Sequence, residues 1–200
     1  KWKSSYLMAI ECPIKVDHSL APIGSALYTE SGKLNKQGIT GVIHAATGSM
    51  GAKQKATIES IKRSIQNTFF LAKNLKIKKI AIPFLGGGIF LSGLKSSKEN
   101  LAQNVFDVSK KMHQQYAVDF VLVAYSKNDY ELFRKISKND SRVVKGSIVD
   151  YNLHKSKVIV NAANTELKFG AGVSGVIGRS VGSKQARVSL VMSFGISSRR

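Results

Sequence analysis

Two hundred residues with 43% hydrophobic content are enough for one domain with a real core, without help from disulfides or metals. The single cysteine, Cys12, excludes an internal disulfide and a thiol cluster, and the chain lacks both a run of roughly 18 apolar residues and a charged start leading into an apolar core. Lys and Arg number 31 against 12 Asp and Glu, a net charge of +19, which favours phosphate-bearing partners.

These features lead us to expect a soluble intracellular, cytoplasmic protein with no membrane partner. The sequence starts at Lys1 rather than methionine, compatible with a processed product or a piece of a longer chain. The positive charge is spread along the chain rather than gathered in one tail. It reads either as a solvated lysine surface or as an attraction for RNA or another polyanion.

Residues 1 to 38 read as loop with one short strand at Tyr6 to Ile10, because Pro13, Pro22 and Gly24 break regular structure. Gly38 to His44 reads as a buried strand and Thr47 to Lys53 as a loop. From Thr57 onward Ile58, Ile61, Ile65, Phe69 and Ala72 recur every three or four residues, which predicts an amphipathic helix. Lys79 to Pro83 is a short buried strand, and the three successive glycines at 86–88 make Phe84 to Gly93 a loop.

Ser96 and Glu99 have capping-box spacing ahead of a second helix carrying Leu101, Val105, Val108 and Met112. Val118 to Tyr125 is a strand, and Ser126 can cap a third helix with Tyr130, Phe133 and Ile136. After the polar linker Ser137 to Ser141, Arg142 to Lys145 and Lys157 to Val160 are further strands. Asn161 to Gly175 reads as a glycine-bearing loop, and the last 25 residues are ambiguous. Strands alternating with amphipathic helices predict a layered α/β domain with helices on the faces of a mixed central sheet.

The most informative stretch is Val158 to Gly178, VIVNAANTELKFGAGVSGVIG, a buried strand ending in two asparagines before a glycine-rich turn enters a helix. It resembles the signature of the macro domain, a module that holds ADP-ribose. The resemblance implies that Asn161, Ala162, Asn164, Gly170, Ala171, Gly172, Val173 and Ser174 line a ligand site whose glycine-rich loop wraps a diphosphate. Glycines that let the backbone approach phosphate, followed by a helix N-terminus, suit an anion.

Ile80 to Gly93, IAIPFLGGGIFLSG, is similar to the family's second phosphate loop. By that resemblance Gly86, Gly87, Gly88 and Ile89 shape a second cradle with donors from Gly87 onward, and Phe90 packs on the distal ribose. GVIHAAT at 41 to 47 and VLVAYSKNDYELF at 121 to 133 are weaker matches, the latter placing Tyr125 near the adenine. His44 is expected to satisfy a hydrogen bond in the core. The spacing of His18, His113 and His154 suggests no metal site, and neither metal nor cofactor is expected.

The motif order is reversed relative to the family. Residues 24 to 137 resemble the later part of a macro domain and residues 142 to 180 its beginning, which leads us to expect one domain over 1 to 200 that is circularly permuted. The rival is a fragment of two tandem domains, each left with an unfinished sheet edge.

Departures from the family bear on activity. A turn that usually carries an acid for the adenine amine reads Gly146, Ser147, Ile148, where Ser147 offers a weaker, uncharged hydrogen bond. Hydrolytic members often place an aspartate where this chain has Ser174, and Gly178 stands where a histidine is usual. Asn164 remains as the residue able to hold the distal ribose or a catalytic water. Binding of ADP-ribose or an ADP-ribosylated protein is therefore favoured over hydrolysis, with nucleic-acid binding on the same fold as a third class.

Overall fold

The β-branched runs of the sequence form the middle of one sheet, buried on both sides. The computed structural model describes residues 21–49, 55–167, 169–182 and 191–193. Its strands are β1 (Ala26–Glu30), β2 (Gly41–Gly48), β3 (Lys79–Pro83), β4 (Asp119–Ala124), β5 (Val143–Lys145), β6 (Val158–Asn164) and β7 (Val191–Ser193). They lie side by side in the order β5-β4-β3-β6-β2-β1-β7. The five strands from β5 to β2 run parallel, and β1 is antiparallel to both β2 and β7. The result is a mixed sheet in a layered α/β fold.

Alternation along the strands divides the core in two. Ile43, Ile80, Ile82, Leu122, Val158 and Val160 face a layer formed with helices α1 (Ile58–Asn74), α2 (Lys98–Tyr116) and α3 (Lys127–Ile136). Val42, Ala81, Val121, Val123 and Ile159 face the opposite layer, which includes Ile177 and Val181 of the last helix. The repeat expected in α1 is present, with Ile61, Ile65, Phe69 and Ala72 buried, and so is that of α2, with Leu101, Val105, Val108 and Met112 buried.

Helix starts follow local hydrogen bonding. Thr57 accepts from the Ser60 N–H while the Ser60 hydroxyl accepts from the Thr57 N–H, a reciprocal cap built with serine in place of the usual Glu or Gln. Ser126 caps α3 through the Asp129 N–H, as expected. The cap of α2 is Ser97, accepting from the Asn100 N–H at 3.1 Å, and not Ser96. Ser96 instead takes a bond from the Asn100 side chain at 2.7 Å, one residue outside the helix.

Several boundaries differ from those expected. Residues 38–40 precede β2, because Gly38 closes a 3-10 turn over Gly32–Gln37 with φ +94°, and the strand runs on to Gly48. The strand β1 lies within a stretch expected to be loop, its residues held by the antiparallel register Ala26–Ala45 to Glu30–Gly41. β4 ends at Ala124, one residue before Tyr125. A short helix α4 (Tyr151–His154) precedes β6, capped by the Asp150 side chain. Asn161–Asn164 belong to β6, paired with β2, and α5 starts at Gly172, so the expected loop shrinks from both ends. The Tyr6–Ile10 strand and Cys12 lie outside the described residues, as do His18 and Lys53.

Candidate functional site

Strands β3 and β6 pair through Ile80–Val158 and Ala81–Ile159 and are paired no further, while β6 stays with β2 up to Asn164. A crevice therefore opens beyond the carboxyl ends of the strands, a location that suits ligands in open α/β sheets. The two glycine-rich segments flank it. They enclose a cleft of about 140 Å³ lined by Gly86, Gly88, Ile89 and Phe90 on the β3 side and by Ala162, Asn164 and Gly170 to Ser174 on the β6 side, with Phe84 completing the wall.

The floor of the cleft is the start of α5 (Gly172–Val181). Helices α1 to α4 all have a side chain that accepts a bond from their first turn. The residue before α5 is Ala171, which has no such acceptor. Backbone N–H groups of a first helical turn have no partner within the helix, so those of Gly172, Val173 and Ser174 are donors at the wall of the cleft. Gly172 holds φ at +61°, a backbone state that suits glycine. A Cβ on Gly175 would run into the Gly170 carbonyl oxygen, so the loop packs directly on the bare face of α5.

The opposing loop turns at Gly86, φ +80°, with Gly87 N–H donating to the Phe84 carbonyl oxygen at 3.2 Å. Gly87 is thus part of the bend and is absent from the lining, whereas Gly88 and Ile89 reach it. Ile89 is 61% exposed, at the rim. Phe84 is the lining residue that sequence reasoning missed. Its signal was an aromatic two residues before the first of three glycines, which an ordinary core phenylalanine shares.

Asn161 does not line the cleft. It is buried beneath, with Nδ2 3.2 Å from His44 Nδ1 and 3.5 Å from Ser174 Oγ. His44 is buried and hydrogen-bonded as expected, and desolvation pushes its pKa down to about 4. Ser147, Ile148 and Tyr125 are also outside the lining, near the carboxyl ends of β4 and β5. Gly146 N–H donates to the Ala124 carbonyl at 2.9 Å, the buried Ile148 accepts from His154 Nε2 at 3.0 Å, and Tyr125 is 77% exposed.

Among the described residues the lining contains no ionisable side chain. Among the described residues no three His, Cys, Asp or Glu side chains gather where they could share a metal ion. No helix among those residues is long and apolar enough to cross a membrane. The site as built offers backbone donors, two phenyl faces, one carboxamide and one hydroxyl.

A macro domain family model matches residues 8–100, which hold β1, β2, α1, β3 and the Gly86–Phe90 loop. The segment 158–178, with β6 and most of α5, follows that match in the chain. An uncharacterized protein of Pyrobaculum aerophilum is 25% identical over 121 residues, 60% of this chain, and the chain spans 62% of that relative's length. The match covers a little under half of the chain, and the layered α/β sheet carrying both glycine-rich loops is consistent with a macro domain.

Proposed function

We propose that the cleft between the two glycine-rich loops binds the diphosphate of ADP-ribose or of an ADP-ribosyl group on a protein. The match to the macro domain supports ADP-ribose-related binding in general. The observation that carries the finer reading is the uncapped start of α5 facing the Gly86–Phe90 loop across one cleft. Helix N-termini favour anions through their free N–H groups and the helix dipole. About 140 Å³ is well under the roughly 300 Å³ at the lower end of small-ligand sites. A ligand this long therefore threads the cleft at its middle, with its base outside, toward Tyr125 and Ser147.

In this reading Asn164 and Phe90 meet the distal ribose, and Gly88, Ile89 and Gly172 to Ser174 supply backbone donors. We read the site as one that binds rather than hydrolyses, because among the described residues no lining side chain is a general base near neutral pH. We read residues 24–137 and 142–180 as parts of one permuted domain. Support comes from β5 and β6, which lie in the same sheet as β2, β3 and β4. A second reading, attraction of RNA along the lysine-rich surface, is favoured by the net charge of +19 and is compatible with the first.

The test is calorimetric titration with ADP-ribose of the wild-type protein and of Gly170→Glu. A Cβ added at Gly170 would meet open space, and its φ is not positive, so the glutamate places a charge at the cleft without backbone strain. Gly172, with its positive φ, would confound folding with binding. Binding to wild type that is lost in a folded Gly170→Glu supports the reading. Equal binding to both proteins refutes it.

A further inference from the structure

Beneath the cleft runs a row of buried polar side chains that apolar packing does not explain. His44 on β2 and Asn161 on β6 are register partners on the face that α5 covers, a face otherwise made of residues such as Val42, Ile159 and Ile177. His44 is 5% and Asn161 2% exposed. The His44 Nε2 lies 2.9 Å from Thr29 Oγ1, its Nδ1 3.2 Å from Asn161 Nδ2, and that same Nδ2 donates to Ser174 Oγ over 3.5 Å. Asn161 Oδ1 is buried with no partner. Buried polar groups are costly unless paired, and an array with one acceptor left over calls for a reason beyond stability.

The donor sense of this row follows from the chemistry of the groups. A carboxamide nitrogen donates and does not accept. With the amide in this orientation the His44 Nδ1 that faces it is the bare nitrogen, and the ring proton sits on Nε2, where Thr29 Oγ1 can accept it. With the amide turned this way Asn161 also donates to Ser174 Oγ, and the Ser174 hydroxyl proton is left free for the cleft that Ser174 lines. The other ring tautomer would require Asn161 to present Oδ1. Ser174 would then donate to that oxygen and offer the cleft lone pairs alone.

Resting on the reading that the cleft takes a diphosphate, we propose that His44 is a positioning residue that acts through Asn161 to make Ser174 a hydrogen-bond donor to an unprotonated ligand oxygen. His44 never touches the ligand. Its role is to fix which end of the Asn161 amide faces Ser174, and so which partner the serine seeks in the cleft. Thr29 Oγ1 can accept the ring proton on the far nitrogen.

The experiment is a double-mutant cycle on ADP-ribose affinity with His44→Leu, Ser174→Ala and the double variant, each first shown to be folded by its thermal transition. Each single change is expected to weaken binding about tenfold, the worth of one hydrogen bond, and the double no more than either. If His44→Leu costs as much again in the Ser174→Ala background, its role is structural and the proposal is wrong. Should His44→Leu fail to fold, Thr29→Val takes its place in the cycle. Long-range proton–nitrogen correlation on the unliganded wild type reads the ring directly, with Nε2 protonation expected and Nδ1 protonation overturning the proposal. That measurement is independent of ligand, so absence of ADP-ribose binding refutes the function proposed above and leaves the tautomer result to decide this one.

Discussion

The ring of Phe84, in the wall of the cleft, meets the fully buried ring of Phe133 edge to face, with centroids 4.7 Å apart and planes at 79°. Phe133 belongs to α3, whose Asp129 is ion-paired with Lys98 of α2, and the Lys98 Nζ lies 5.9 Å from the Phe84 centroid. One wall of the site is thus braced by two helices that contribute nothing to its lining. Phe133→Ala should lower unfolding free energy by roughly 3–5 kcal/mol and also weaken ADP-ribose binding several-fold, because Phe84 loses its backing. Urea unfolding and titration of the same preparation check both. Lost stability with unchanged affinity would remove Phe84 from the site.

Two glycines near the cleft should respond differently to the same methyl group. At Gly175 a Cβ meets the Gly170 carbonyl, so Gly175→Ala must push the loop off α5, at a cost of about 1–3 kcal/mol and with a clear loss of affinity. At Gly88 a Cβ meets nothing within 4 Å, and Gly88→Ala should stay within about 0.5 kcal/mol of wild type in stability. Thermal melts of the two variants decide it. Equal destabilisation would contradict the packing of Gly170 on α5.

The buried imidazole gives stability a definite pH dependence. In the folded protein desolvation lowers the His44 pKa from its ordinary 6.5 to about 4, so the unfolded chain takes up the proton first as pH falls. The contribution is complete above about 6.5, declines through the window down to about 4, and is constant below it. Its full size is about 3 kcal/mol at most. His154, also lowered chiefly by burial, adds in the same direction. Denaturant midpoints measured across that window should fall with acidity, and His44→Leu should flatten the slope. An unchanged slope in the variant would mean that other groups carry it.

Salt separates the two proposed partners. A diphosphate held by backbone N–H groups should lose little affinity between roughly 50 and 200 mM salt, whereas a long RNA held by many lysines should lose orders of magnitude. Parallel titrations at the two ends of that range read the contrast. If ADP-ribose binding falls as steeply as RNA binding, lysine side chains rather than the loops hold it.

What could be read from the sequence followed from how local the cause was. The helices α1 and α2 were legible because a stripe such as Ile61, Ile65, Phe69 and Ala72 is periodic whatever lies opposite. The glycine-rich segments announced the site because three successive glycines at 86–88 fit neither helix nor strand. β1 was hidden, since its burial changes from full at Ala26 to exposed at Glu30 and its order comes from pairing with β2 on one side and β7 on the other. The extension of β6 through Asn164 was masked by polar residues that look like loop and are buried because His44 and Ser174 receive Asn161. Ser96 and Ser97 are both plausible caps by composition. The choice between them lies in which hydroxyl faces the Asn100 N–H, a matter of backbone direction.

The seating of β6 between β2 and β3 has a consequence for how the chain is made. Gly41 finds its neighbour in Val158, 117 positions later, and Ile80 must also wait for Val158. During vectorial synthesis β1 and β2 can pair early, as can β3 and β4, and the two halves then face each other across an empty seam with unpaired backbone on both lips. Such long-range insertion slows folding and leaves sticky edges exposed to other chains in the meantime. The strand that carries the asparagines of the site is thus also the one that closes the sheet, so a nascent chain reaches a sealed core and a complete cleft in the same event.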